Sequence, residues 1–161
     1  MTKYLRSAAG LATLVLASAG VASAQATTQT VTFEVQAINE IAVSGDPGSL
    51  VISSATAGGA PDPVTDASTT YDITTNETGK TITAVLDAVM PTGLTLTIEL
   101  VAPSVGTSAG PVTLTDVAAN AVTGISNVAE TGLGITYTLS ATAAAAVTAT
   151  PQTRTVTLTI I

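Results

Sequence analysis

The sequence predicts an all-β protein, a single antiparallel β-sandwich of immunoglobulin-like type with about eight or nine strands. Three observations lead to this prediction. Short runs alternate between apolar and polar residues with the period of a half-buried strand. Turn signals rich in Gly and Pro separate these runs at intervals of roughly 8–14 residues. Charged residues make up only 9% of the chain, and threonine, which suits a pleated surface, fills many outward positions.

The predicted strands differ in the strength of their alternation. The clearest run covers residues 94–100, where Leu and Ile alternate with Thr and Glu, and a second strong run covers residues 133–139. An alternating run at residues 156–160 closes the chain. Shorter strands are predicted around Leu50 and Ile52, Tyr71 and Ile73, Ile82 to Leu86, and Val112 and Leu114.

The segments between these runs carry turn signals. Residues 57–63 and 102–111 are predicted loops, and residues 90–93 end a strand. Residues 76–80 predict a hairpin loop in which Gly79 takes a positive φ. Residues 117–128 fit no single pattern. Residues 141–149 predict either one helical turn or a loop of small residues.

The first 24 residues have the features of a secretory signal peptide. Lys3 and Arg6 precede a short apolar run, and the small residues at positions 22–24 match a cleavage site. We therefore expect export to the extracellular space or the cell surface. The remaining chain divides into residues 25–37, a candidate donor strand, and residues 38–161, the β-sandwich.

The charge of the exported chain excludes several classes of partner. After the signal, only Lys80 and Arg154 oppose eleven acidic residues. Nucleic acids and anionic membranes require basic surface, so we expect neither as a partner. The chain has one Phe and no Trp, too few aromatic residues for the interfacial belts of membrane-inserted strands.

Side chains that commonly perform catalysis are scarce. The chain has no His and no Cys, which removes the commonest general base and the thiol nucleophile. Lys80 is the only Lys after the signal, and beside a turn it is best interpreted as a solvated cation. We therefore predict no enzyme, no catalytic residue and no cofactor.

Calcium is the one cofactor that the composition leaves open. Carboxylates near predicted loops are suitable ligands for a hard cation, and Asp62 and Asp66 are the closest such pair. The chain lacks a spaced calcium-binding loop motif, so solvated turn residues are the preferred interpretation of these two side chains.

Residues 30–36 raise the main functional question. Val31, Phe33 and Val35 alternate on one face, but the pattern shifts by one residue at Ala37, and the following strand has the opposite parity. One interpretation is a β-bulge inside a single strand of the protein's own sandwich. The other is that residues 30–36 form a separate strand that pairs with a neighbouring subunit by β-augmentation.

This layout resembles that of secreted pilin-like and matrix-fibre subunits that polymerise by donor-strand exchange. The resemblance rests on the alternation at residues 31–35, directly after the signal, and on the terminal strand at residues 154–160. It implies a self-assembling extracellular filament for adhesion or matrix formation, with Val31, Phe33 and Val35 at the subunit interface. The alternative is a monomeric secreted adhesin or envelope-associated module that binds a host or cell surface.

Overall fold

The computed structural model describes residues 25–148 and 150–161, and within these ranges the chain forms nine β-strands and no helix. The prediction of an all-β sandwich with about eight or nine strands is confirmed. The signal-peptide prediction falls on residues outside this description. The strands are β1 (Asn39–Val43), β2 (Val64–Thr75), β3 (Lys80–Leu86), β4 (Leu94–Leu100), β5 (Thr107–Ser108), β6 (Val112–Thr113), β7 (Ala119–Ile125), β8 (Val128–Ala141) and β9 (Val156–Ile160).

The strands form two antiparallel sheets. The five-stranded sheet has the order β1-β2-β8-β4-β6, and the four-stranded sheet has the order β5-β7-β3-β9. Consecutive strands β2 and β3 therefore belong to different sheets, as do β3 and β4. Both the first strand and the last strand lie at an edge, β1 in the larger sheet and β9 in the smaller one.

The core lies between the inward faces of the two sheets. In the larger sheet, Leu96, Ile98 and Leu100 of the interior strand β4 are buried, and in the smaller sheet Ile82, Ala84 and Leu86 of β3 belong to the same core. Each fully buried aliphatic side chain stabilises the fold by about 1.5–3 kcal/mol. Period-2 spacing thus places these apolar residues of β3 and β4 in a shared apolar layer.

Two buried tyrosines bring polar atoms into this layer. Tyr71 of β2 is fully buried, and its hydroxyl donates a 2.6 Å hydrogen bond to the carbonyl of Val101. Burial, with a smaller contribution from the charge of Glu130, raises the pKa of Tyr71 to about 12. Burial and the charge of Asp46 also raise the pKa of Tyr137 on β8. Both phenols are therefore neutral in the folded protein at ordinary pH.

Glycines occupy two turns that other residues would strain. Gly79 has a φ of 72° directly before β3, which confirms the predicted positive φ. Gly93 has a φ of 84° directly before β4, and a Cβ at this position would lie 2.6 Å from the amide nitrogen of Ala145. The turn before β4 therefore requires glycine both for its conformation and for its contact with the loop that follows β8.

Several predicted elements need correction. The turn at residues 76–80 is not a hairpin loop, because β2 and β3 pair in different sheets and the turn crosses between them. Leu50 and Ile52 form no strand. They lie in a loop whose alternate side chains are partly buried, which produces the same pattern as a strand.

The structure assigns the regions for which no single prediction was possible from the sequence, and it adds a short strand to one predicted loop. Residues 117–128 contain β7, and the predicted loop at 102–111 contains the two-residue strand β5. Residues 142–148 form a loop with a turn in which the amide of Ala145 donates to the carbonyl of Thr142. The helical alternative for this region is therefore wrong for the residues described, which exclude Ala149.

Candidate assembly surface

The N-terminal segment, residues 25–37, keeps its alternating apolar residues exposed. Neither helix, turn nor strand is assigned from residue 25 to residue 38. Val31 is 76% exposed, Phe33 87% and Val35 79%. The second half of the sequence alternation forms β1, whereas the first half joins no ladder in the described part of the chain. The parity change at Ala37 thus coincides with the end of strand pairing.

The side chain of Asn76 marks this end. Its Oδ1 accepts a 2.8 Å hydrogen bond from the amide of Ile38, and its Nδ2 donates a 2.8 Å bond to the carbonyl of Gln36. The amide of Asn76 also donates to the carbonyl of Ile38. One asparagine therefore occupies the backbone groups that would otherwise continue the ladder between β1 and β2.

A polar cluster fixes the first residue of β1 beside this junction. The hydroxyl of Thr75 donates a 2.7 Å hydrogen bond to Oδ1 of Asn39, and the Nδ2 of Asn39 donates to the carboxylate of Glu77. Lys80 lies 2.8 Å from the same carboxylate. Hydrogen bonds from Lys80 and then from Asn39 lower the pKa of Glu77. The side chains bonded to Glu77 thus join the start of β1 to the start of β3.

The edge of β9 presents backbone groups in a defined pattern. On one side β9 pairs with β3, and Thr81 and Ile161 exchange hydrogen bonds of 2.9 and 3.0 Å beyond the end of the ladder. At the other end, the amide of Asp87 donates to the carbonyl of Thr155. Because hydrogen-bonding direction alternates along an antiparallel strand, odd-numbered residues of β9 bond to β3.

The even-numbered residues of β9 consequently direct their backbone groups away from β3. These residues are Val156, Leu158 and Ile160. Their side chains pack against the core but remain partly exposed, while the intervening threonines are exposed. No strand of the described residues pairs with this side of β9, because β9 is the last strand of its sheet. Three inward apolar residues therefore carry unpaired amides and carbonyls at this edge.

The edge of the other sheet lies close to this position. β1 and β9 are neighbours across the layer between the sheets. Ile41 of β1 is half-buried there and packs against the core, as do the inward residues of β9. The side of the sandwich bounded by β1 and β9 thus has an apolar interior that the described strands cover only in part.

Asp62 and Asp66, the calcium candidates, are engaged in local hydrogen bonds. Asp62 accepts a 2.9 Å bond from the hydroxyl of Ser54. Oδ1 of Asp66 accepts bonds of 2.7 and 3.1 Å from the hydroxyl and amide of Ser68, which lower the pKa of Asp66. Across residues 25–148 and 150–161, no three acidic, His or Cys side chains group as metal ligands.

Two clefts in the described part of the chain are small. Each has a volume of about 220 Å³, one beside Val89, Met90 and Leu94 and the other along β1 and β2. Pockets for drug-sized ligands usually measure about 300–1,000 Å³. The surface between β1 and β9 and, separately, the N-terminal segment are therefore the strongest candidates for a functional site.

Comparison with protein families, curated proteins and solved structures finds no match for this chain. In the described residues, no helix has the length and apolar character needed to cross a membrane.

Sequence reasoning identified the N-terminal segment but missed the unpaired edge of β9. Val31, Phe33 and Val35 were identified from their alternation. The role of Val156, Leu158 and Ile160 as an unpaired edge was not identified, although their strand was. Whether a strand lies at an edge depends on pairing with distant strands, and the only local signal was the position of β9 near the end of the chain.

Proposed function

We propose that this chain is a structural subunit of an extracellular filament. In this proposal, residues 25–37 of one subunit add a strand to the sandwich of the next by β-augmentation. The role is structural and non-catalytic, and the partner is another copy of the same chain. The signal-like residues 1–24 support export before assembly.

One observation carries the proposal. Val31, Phe33 and Val35 have the alternation of a half-buried strand, yet they are 76%, 87% and 79% exposed. A run of this kind is a template for strand pairing, and natural proteins protect such edges. Alternation of apolar and polar residues separates a buried face from an exposed face. A fully solvated segment has no buried face, so alternation gives it no structural advantage. Burial in a second subunit gives these three side chains the environment that their spacing fits.

The energies are sufficient for a stable contact. Burying three large apolar side chains contributes about 5–9 kcal/mol, at about 1.5–3 kcal/mol each. Each ladder hydrogen bond adds about 1 kcal/mol net. Association costs about 4–15 kcal/mol in lost freedom, so a strand with five or six ladder bonds gives a favourable balance in the lower part of that range.

The geometry of such a contact leads to a polymer. The donating segment and the accepting sandwich are different surfaces of the same molecule, so the interface is heterologous. Heterologous contacts that do not close into a ring continue as a filament. After the signal, the eleven acidic residues against Lys80 and Arg154 limit unspecific association through mutual repulsion.

Deletion of residues 25–36 tests the proposal. We expect the mature protein to form filaments under negative-stain electron microscopy, and the deletion variant to remain a single compact species in sedimentation velocity. The circular dichroism spectrum of the deletion variant should still report a folded β-protein, because β1 begins at Asn39.

A matched pair of substitutions separates the two faces of the segment. Phe33→Ser should abolish filaments, whereas Thr32→Ser on the opposite face should leave them intact. Filaments formed by the deletion variant would overturn the proposal. A mature protein that stays monomeric at high concentration would favour the secreted adhesin or envelope module instead.

A further inference from the structure

We infer that the acceptor for the N-terminal segment is the unpaired edge of β9 in a second copy of this chain. In the register that we propose, Val31, Phe33 and Val35 lie opposite Ile160, Leu158 and Val156 in an antiparallel pair. This inference rests on the proposed function and deepens it, because it names the strand that receives the segment.

The first argument is the parity of the two strands. Residues directly opposite each other in a sheet place their side chains on the same face. The register of β9 with β3 directs the backbone groups of Val156, Leu158 and Ile160 to the unpaired edge, and the side chains of these residues face the core. An incoming strand that bonds to these three residues must therefore place its own directly opposed side chains in the core.

The N-terminal segment has the spacing that this edge requires. Its three exposed apolar residues recur at every second position, as do the inward residues of β9. Residues 31–35 and β9 (Val156–Ile160) have equal length. One register therefore matches three apolar residues with three apolar residues. Thr32 and Glu34 then lie beside the exposed threonines of β9.

The second argument is the incomplete burial of the inward side chains of β9. In the central strand β3, Ile82, Ala84 and Leu86 are 0%, 0% and 3% exposed. The inward residues of β9 directly beside them are only partly buried. A strand added next to β9 would cover them as β9 covers β3, and the aromatic ring of Phe33 would enter the layer between β9 and β1.

The other edges are poorer acceptors. β5 and β6 consist of two residues each, too short to pair with a five-residue run. β1 has five residues, but its residues with unpaired backbone groups are Asn39, Ile41 and Val43. Asn39 is bonded to Thr75 and Glu77, and Val43 is 55% exposed. Only β9 offers three inward aliphatic residues.

The antiparallel direction follows from general pairing preferences. Antiparallel pairs are slightly more stable per residue than parallel pairs and are more frequent. All seven strand pairs described in this sandwich are antiparallel. Phe33 lies opposite Leu158 in either direction, so only the outer pairs distinguish the two orientations.

Disulfide cross-linking tests the inference directly, since the chain has no native Cys. Mature Val35→Cys and Val156→Cys proteins, which retain Phe33, are mixed, assembled and oxidised, and a covalent dimer is expected on a denaturing gel. The control mixture pairs Glu34→Cys with Val156→Cys, whose side chains fall on opposite faces and should give at least tenfold less dimer. Val31→Cys should link to Ile160→Cys and not to Val156→Cys.

Amide hydrogen exchange provides a second measurement without substitutions. In the variant lacking residues 25–36, the amides of Leu158 and Ile160 should exchange rapidly, whereas those of Thr157 and Thr159 are bonded to β3 and should be protected. In filaments all four amides should be protected. We expect the amide exchange rates of Leu158 and Ile160 to be at least tenfold lower in filaments than in the deletion variant.

The outcomes separate this inference from the proposed function. Filaments in which Val31→Cys links to Val43→Cys, with Leu158 and Ile160 still exchanging rapidly, would overturn the β9 acceptor and leave the filament proposal in place. A link from Val31→Cys to Val156→Cys would overturn the antiparallel register. A mature protein that neither polymerises nor cross-links would overturn both.

Discussion

Residues 30–36 and β4 (Leu94–Leu100) carry nearly the same pattern and have opposite environments. Each is a seven-residue run in which apolar residues alternate with polar ones, mostly Thr and Glu. In β4, Leu96 is 9% exposed, and Ile98 and Leu100 are fully buried. In the N-terminal segment, Phe33 is 87% exposed. β4 lies between β8 and β6, whereas residues 30–36 enter no described ladder.

The difference teaches what alternation encodes. A period of two specifies an extended strand and the face that must be buried, but it does not specify which surface buries that face. For β4 the surface is supplied by the same chain. For the N-terminal segment we propose that a second copy supplies it. The following predictions test this contrast with substitutions in the core and with substitutions or a deletion in the N-terminal segment.

The largest expected effect comes from truncating equivalent positions in the two runs. Ile98→Ala should lower the free energy of unfolding by about 2–5 kcal/mol, because it leaves a cavity in a fully buried site. Phe33→Ala should change it by less than about 0.5 kcal/mol in the monomer, since the ring is exposed. Denaturant titration at concentrations where sedimentation shows monomers measures both values. A large loss for Phe33→Ala would mean that the ring packs in its own subunit.

The next largest effect concerns the two buried tyrosines, Tyr71 and Tyr137, which lie in the same sheet as β4. Burial raises the pKa of Tyr71 to about 12, so the folded state favours the neutral phenol. The stabilisation is complete below the ordinary tyrosine pKa of about 10 and is lost as the pH rises from about 10 toward about 12. Spectrophotometric titration of phenolate absorbance, with denaturant melts at each pH, measures both quantities.

The tyrosine titration also distinguishes the two runs. Deleting residues 25–36 should leave the titration curve unchanged. Ile98→Ala should move it toward the ordinary pKa, because Ile98 lies opposite Tyr137 in the pair of β4 with β8. A curve that shifts on deletion of the N-terminal segment would show that this segment contributes to the core of its own subunit.

The smallest expected effect is a gain in stability. Thr69 on β2 is 4% exposed, and its hydroxyl has no hydrogen-bond partner among the described residues. Thr69→Val removes the buried unsatisfied group with little change in volume, so the free energy of unfolding should rise by about 1 kcal/mol. Thr32→Val in the exposed segment is the matched control and should change it by less than about 0.5 kcal/mol. A destabilised Thr69→Val variant would contradict the absence of a partner.

The sequence was sufficient to predict a strand where the local pattern and the tertiary environment agree. Residues 94–100 coincide with β4, and the alternation at 133–139 and 156–160 falls within β8 and β9. In each case one face is more buried than the other, so the period of two is undisturbed. The positive φ of Gly79 was also predictable, because the turn chemistry of this position is local.

The failures have non-local causes. The turn at residues 76–80 uses the residues of a hairpin but crosses between sheets, a property that depends on the partners of β2 and β3. In β7, register shifts relative to β3 bury the adjacent residues Ala121 and Val122, which breaks the alternation. A pattern search therefore could not assign that strand. The unpaired edge of β9 was not predicted for the same reason. A strand lies at an edge when no other strand pairs with one of its sides, and the local sequence does not specify this.

The outward amides and carbonyls of Val156, Leu158 and Ile160 have a consequence for filament length. In the proposed assembly every growing fibre has one terminal subunit with this edge vacant and, at the opposite terminus, one with its segment unused. A copy lacking residues 25–36 would still accept a strand but could not extend into the next subunit. Traces of it should act as a chain terminator, so that fibres become shorter as its mole fraction rises.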